Sequence, residues 1–573
     1  MAVFIWLQYN YGHTRYVRTV PSPASDKIAA MQSIRRAAAC IAIAAIALSW
    51  AATVPARIQT GFETIKAADL KADITFLASD PLQGRMSLAP GSEVAVQWIQ
   101  SEFVKAGLKP AANGSFLQAV PLWEFRTNRE ADYLKIQHGS SAETLHYPDA
   151  FGQFPESIDV SAAVVFAGFG ITAPELHYDD YKGIDANGKI VLVFDHEPQE
   201  TNPKSIFNGL GNTRYATARV KLLNAQAHGA VAVLSVPEPN RKHLTNQERA
   251  AKVSSPQQRN PIPSQAIVDD EIHIPYMTVS DKVAVNLIAP LNTTPSVLQK
   301  TIDADLTTVS QDIPGTAVTI HLENSQARQG RSYNVAGLLE GSDPALAPET
   351  IVISGHFDHN GASGGQIFHG ADDNASGTVG VVELAHAFAA NPERPKRSIL
   401  FIVFAAEERG LLGSYYYVQH PLRPIDTTRA VINFDMIGRN ETPSRQTDGV
   451  IDIAPDTSNE LNLIGTNYTP DYRKVVERAN EDVGLHLNYK WDRDAALNVF
   501  FRSDQFPFAL RGVPAIWWFT GFHPDYHQTT DTADKINYTK MEKILKLAYL
   551  SAWNFCNETP PRFNLTGDMS AGT

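Results

Sequence analysis

The sequence predicts an α/β protein: a mostly parallel central sheet flanked by helices, with a separate β-rich module inserted. Three observations carry this. From Thr316 onward, apolar strand-like runs alternate with helical patterns, the order that builds a largely parallel sheet. Ile351–Ile353, Ser398–Phe404, Ala430–Phe434 and Val513–Phe519 read as buried strands within that alternation. Between about Tyr133 and Asp305, short β-branched runs dominate instead. At 573 residues the chain also exceeds what one core usually holds, so two or more domains are expected. The expected division is residues 1–56 as an upstream extension and signal peptide, and 57–132 as the first part of the main domain. Residues 133–305 form the insert and 306–573 the rest of the main domain.

Taken in order, the chain first shows the layout of a secretory signal. Arg35-Arg36 precede an apolar core from Ala37 to Ala52, and Val54-Pro55-Ala56 reads as a cleavage site. That core is short for a membrane span. The expectation is a secreted or periplasmic protein with no stable membrane insertion after cleavage, and a start at Met31 would fit. Ala67 to Pro110 reads as helix, loop, helix, broken at Asp80-Pro81 and ending at Gly107; Phe116 to Leu122 follows as a strand. In the insert, Ala162–Phe169, Ile190–Phe194 and Ala230–Val236 read as strands and Thr217–His228 as a helix. Pro237–Pro263 is a polar connection, and Lys300 to Ile313 leads back as a linker. Beyond it, Gly377–Ala389, Tyr472–Val483 and Thr539–Phe555 read as helices.

Composition excludes some functions. The net charge of −12 implies no basic surface for nucleic acid. There are two cysteines, Cys40 in the signal region and Cys556, so any metal ligands must be His, Asp and Glu.

Those residue types collect at strand ends. The first buried strand leads to His356 and Asp358, with Asp372-Asp373 in the Gly-rich loop beyond; the second leads to Glu407-Glu408. Asp435 follows the third, and His523, Tyr526 and His527 follow the fourth. Ligands of open α/β sheets gather outside the carboxyl ends of the strands. A single acidic residue in such a loop is a solvated charge or a helix cap. Four strands delivering His or carboxylate to one edge is a metal site, and two histidines with carboxylates and no thiolate suit zinc. Five ligands exceed one tetrahedral ion, so two zinc ions sharing a carboxylate are expected. If Glu407 and Glu408 lie on extended backbone they point apart, one to metal and one to a water. The residue types leave open whether Asp372 or Asp373 bridges.

The motifs SGHFDH, GADDNASG, AAEERGLLGS, NFDMIGR and YHQTTDT, in order from Ser354 to Asp531, resemble those of the di-zinc aminopeptidase S / aminopeptidase Y family. Relatives of that family include glutamate carboxypeptidase II and the transferrin receptor. The earlier segment GFGITAPELHYDDYKGIDANGKIVLVF resembles its inserted protease-associated domain. The resemblance implies a zinc-peptidase sandwich and a zinc-dependent exopeptidase, an aminopeptidase, acting on peptide or protein substrates. It implies His356 and Asp435 on one zinc, Glu408 and His527 on the other, and Asp372 bridging, joined to Asp373 by a cis peptide. It also implies Glu407 as general base, Tyr526 as oxyanion donor, and Asp358 behind His356 to orient its ring.

His359, His369 and His523 are expected to lie in loops or to support the ligands from behind, without being ligands themselves. Gln505 stands where the family often has histidine, and no zinc ligand is lost by that. Phe500, Phe501, Phe506, Phe508, Trp517 and Trp518 could line a pocket for an apolar side chain, although such residues are more often core. The alternatives are a carboxypeptidase or dipeptidase resembling glutamate carboxypeptidase II, and a non-catalytic receptor-like relative, against which the intact ligand set argues.

Overall fold

Four parallel strands lie side by side at the centre of the main sheet: β1 (Thr350–His356), β2 (Ser398–Phe404), β3 (Thr428–Phe434) and β4 (Ala515–Phe519), in the order β2-β1-β3-β4. The computed structural model describes residues 54–209, 211–241, 262–494 and 496–564. The proposed signal core and most of Pro237–Pro263 lie outside these residues. Nearly every residue of the four strands is buried, because helices cover both faces and leave no reason for polar alternation. Helices α1 (Gly377–Ala389) and α4 (Tyr538–Asn557) cover one face, where Phe388 packs on Phe401 and Tyr549. Helices α2 (Leu412–Gln419) and α3 (Gln505–Leu510) cover the other, where Tyr417 and Phe508 pack on Phe404. Helix α1 starts hard against the sheet: a Cβ on Gly377 would lie 2.4 Å from the Phe434 carbonyl oxygen, so only glycine permits that approach.

The parallel arrangement is confined to this centre and one outer pair. Asn324–Leu339 and Leu117–Thr127 continue the sheet antiparallel beyond β2, and Glu460–Ile464 pairs antiparallel with β4. Leu117–Thr127 alternates buried with half-buried residues at its start, the pattern of a strand with one face less covered.

A second sheet of eight strands has its own core, built from residues such as Phe166, Phe194, Leu234 and Ile320. Its membership corrects two expected boundaries. Gln311–Leu322, assigned above to the linker and main domain, pairs with Tyr133–His138 and Ile158–Phe166 in the second sheet. The chain crosses between sheets at Glu323, not at Asp305. Ser264–Ile267, assigned to the insert, pairs with Leu122–Phe125 of the main sheet. Both runs have strand composition, and composition does not say which sheet a strand joins. The two sheets are tied together by polar contacts. Arg219 pairs with Asp270 and Glu271 and lies 3.9 Å from the Tyr415 ring centre, while Tyr468 donates to the Asn212 carbonyl at 2.7 Å.

Candidate metal centre

Parallel registration brings the ends of β1 to β4 to one edge: His356 pairs with Phe404, Gly355 with Phe434, and Phe434 with Trp518. His356 is therefore the last residue of its strand, and Asp435 and Glu407 follow immediately or within one turn on the neighbouring strands. Asp373 arrives from the turn Ala371–Ser376, just ahead of α1. Tyr526 and His527 come from the loop after β4. All of these except the half-buried Tyr526 and His527 and the partly covered Glu408 are buried.

Asp373 is the hinge of the arrangement. Its Oδ1 lies 3.6 Å from His356 Nε2, which is also 3.5 Å from Asp435 Oδ1. Its Oδ2 lies 3.1 Å from His527 Nε2, which is 3.2 Å from Glu408 Oε2. One carboxylate thus presents one oxygen to each of two His/carboxylate groups. This corrects the expected bridging residue. Asp372 points away from the cluster: its Oδ1 accepts from Gly438 N–H at 2.7 Å and its Oδ2 lies 3.2 Å from His523 Nε2. Both carboxylates of the pair need partners, and Asp372 is satisfied by Gly438 and His523. The cis peptide also lies one residue later than expected, at Asp373–Asn374. Asp531 holds the pair by accepting the amide N–H groups of Asp372 and Asp373 at 3.0 and 3.1 Å.

The glutamate pair is set by a tight turn, not by extended backbone. Ala406 takes a left-handed conformation (φ 54°) and Glu407–Arg409 form a single 3₁₀ turn, so the two side chains diverge because the chain bends. Asp358 contributes to that bend, accepting Glu407 N–H at 3.0 Å. His356 Nδ1 lies 3.1 Å from the Asp358 carbonyl and 3.7 Å from its carboxylate. Asp358 therefore sets the ring by its backbone and the Glu407 turn by its side chain.

Several contributing residues were not legible in the sequence. His359, expected either in a loop or in support of the ligands, is buried with Nδ1 2.6 Å from Glu408 Oε1, so Glu408 sits between His359 and His527. Ser503 donates to Asp435 Oδ2 at 2.6 Å. Arg502 donates to the Tyr526 hydroxyl at 3.1 Å. Ser503 belongs to the segment Ser503-Asp504-Gln505, two residues before the position where Gln505 stands in place of histidine. His369 stays at the rim, 2.9 Å from Asp80. A cavity of about 250 Å³ opens over the cluster, walled in part by Phe501 and Trp517, two of the six aromatic residues weighed above as pocket or core.

The chemistry of this set fits cations. His356 Nε2 and His359 Nε2 are buried without a hydrogen-bond partner among the described residues, although carboxylate oxygens surround the first at 3.5–3.6 Å. Buried polar atoms without partners are rare, and His356, Asp373 and Asp435 lie close enough together to hold a metal ion. Burial, with Asp435, Asp504 and Glu408 nearby, pushes Glu407 well above the usual carboxylate range, against the opposing pull of His356. Burial alone would raise Glu408 too, but the flanking His527 and His359 hold it well below. Burial lifts the Tyr526 phenol above its ordinary value, so its hydroxyl stays a donor.

Part of the chain is similar to known proteins. Residues 334–551 match the model of peptidase family M28. A probable leucine aminopeptidase 2 of Aspergillus oryzae is 28% identical over 200 residues, 35% of this chain and 35% of that protein. A probable zinc metalloprotease of Pyricularia oryzae is 28% identical over 271 residues, 41% of this chain and 52% of that protein. The chain thus spans about a third to a half of the length of these curated relatives. The solved aminopeptidase from Aneurinibacillus sp. strain AM-1 aligns with a TM-score of 0.49 at 20% identity, over 88% of this chain and 97% of that one. The matched segment contains both His/carboxylate groups, Asp373 between them and the residues that hold them, and over residues 334–551 the chain is similar to peptidase family M28.

Proposed function

We propose that the protein is a secreted or periplasmic zinc exopeptidase that removes N-terminal residues from peptides. The observation that carries the reading is Asp373, whose two oxygens face separate His/carboxylate groups. His356 and Asp435 would hold one zinc, Glu408 and His527 a second, and Asp373 both. His359 would fix the outer oxygen of Glu408. Bound zinc would supply Lewis-acid polarisation of the scissile carbonyl and acidify water.

The protein's own groups then divide the remaining work. Glu407 lines the cavity beside this set; it takes a proton from the attacking water and returns it to the leaving amine. The Tyr526 hydroxyl accepts from Arg502, which leaves its hydrogen to donate to the developing oxyanion. Asp358 holds the Glu407 turn and the His356 ring in place. The second sheet is read as the protease-associated module. Among the described residues no helix is long and apolar enough to cross a membrane.

The test is a panel of aminoacyl anilides and N-blocked dipeptides, run with zinc and with chelator, on wild type and Glu407→Gln. The reading predicts chelator-sensitive release from unblocked substrates, and a variant that keeps its zinc but loses turnover by about 10³-fold. Cleavage of blocked dipeptides alone would favour the carboxypeptidase alternative. Full activity in Glu407→Gln would remove the base assignment.

A further inference from the structure

Arg502 gives the cavity a feature that the hydrolytic chemistry does not require. It lies between the turn Val499–Phe501 and helix α3, next to Ser503, whose hydroxyl holds Asp435. Its position is therefore fixed relative to the metal ligands. Its side chain lines the cavity and lies against the face of Phe522, 5.4 Å from the ring centre. Its one hydrogen bond among the described residues goes from Nη2 to the Tyr526 hydroxyl, and no carboxylate there lies within ion-pair distance. It is the only arginine or lysine among the lining residues, which include Asp373, Glu407, Glu408 and Asp435. Under the reading above, three of those carboxylates are ligands and the fourth is the base, so none is left to pair with Arg502.

A half-buried guanidinium without a carboxylate partner carries a desolvation cost that an incoming anion offsets. The planar fork of N–H groups beside an aromatic wall matches a carboxylate better than a neutral amide. The hydrogen bond to Tyr526 places that fork next to the donor assigned to the oxyanion, and hence next to the scissile bond. We propose that Arg502 is a specificity-determining residue that selects substrates carrying a carboxylate within one residue of the bond cleaved. The carboxylate belongs either to an acidic first side chain or to the C-terminus of a dipeptide. The proposal rests on the hydrolase reading and narrows its substrate class.

The test uses two matched pairs on the zinc-loaded full chain: Glu-Ala-amide against Gln-Ala-amide, and Ala-Ala against Ala-Ala-amide. Wild type is expected to favour the carboxylate member of one pair by tenfold or more in kcat/KM, and the pair that responds identifies the source. Arg502→Met is expected to bring that ratio near one, chiefly through KM, and Arg502→Lys to restore part of it. No carboxylate preference in either pair, or a preference unchanged in Arg502→Met, would overturn the proposal. If the protein cleaves none of the four, the hydrolase reading fails by itself. Arg502 is then read by quenching of tryptophan fluorescence with glutarate against glutaramide. Selective glutarate binding that Arg502→Met loses supports the assignment, and equal binding by both proteins rejects it.

Discussion

At the scale of single residues, the site turns on which of two adjacent aspartates faces both His/carboxylate groups. Asp373 does so geometrically, and Asp372 is buried against Gly438 and His523. Asp373→Asn is therefore expected to lose zinc and activity together. Asp372→Asn should keep its zinc and lose about 1–3 kcal/mol of stability, the usual cost of disturbing a buried hydrogen-bonded group. Zinc analysis after gel filtration, with urea melts, checks both; the reverse pattern would restore Asp372 to the bridge. Residue types marked the Asp-Asp pair without choosing within it, and the family resemblance chose Asp372. The choice depends on which carboxylate the turn Ala371–Ser376 aims at the cluster, and neither residue type nor spacing encodes that. His359 stayed open for a similar reason: only its contact with Glu408 separates support of a ligand from a place in the loop.

At the scale of elements, the site depends on turns held by residues outside the motifs. Arg85 is buried with a left-handed backbone (φ 53°), and its guanidinium donates to the carbonyls of Phe357, Leu77, His369 and Gly370 at 2.6–2.8 Å. One side chain thus fastens the end of helix Ala67–Leu77 to the loop after β1 and to the loop before Asp373. Arg85→Met is expected to destabilise the protein by about 2–4 kcal/mol, since several carbonyls lose a charged donor. It should also weaken zinc binding, read by competition with a chromogenic chelator. Wild-type zinc affinity in a destabilised variant would confine Arg85 to a packing role. The central strands and helices were legible because long apolar runs have few other uses. Ser398–Phe404 and Gly377–Ala389 match their expected limits. The turns were less so, and Glu407-Glu408 shows why: the sequence does not declare that Ala406 will adopt a left-handed conformation.

At the scale of the whole molecule, the second sheet brings its own buried charges. Glu197 is enclosed, accepting from both the N–H and the hydroxyl of Thr213, and burial pushes it up to about 8. In the unfolded chain the group ionises near 4.5. Between those values the folded state keeps a proton that the unfolded state has released, so stability falls as pH rises across that window. Asp180, raised by burial to about 7, adds to the same slope. Glu197→Gln should flatten the loss of stability between pH 5 and 8 by on the order of 1–3 kcal/mol, measured by urea melts at the two pH values. An unchanged slope would mean that Glu197 ionises in the fold. The presence of two β-textured regions was readable from the sequence, but their exchange of strands was not, because Ser264–Ile267 and Gln311–Leu322 look alike until paired. The account as a whole is tested most directly by anomalous diffraction at the zinc absorption edge from crystals of the zinc-loaded protein. Two peaks are predicted with Asp373 between them, one beside His356 and Asp435 and the other beside Glu408 and His527. A single peak, or a pair of peaks joined by Asp372, would contradict it.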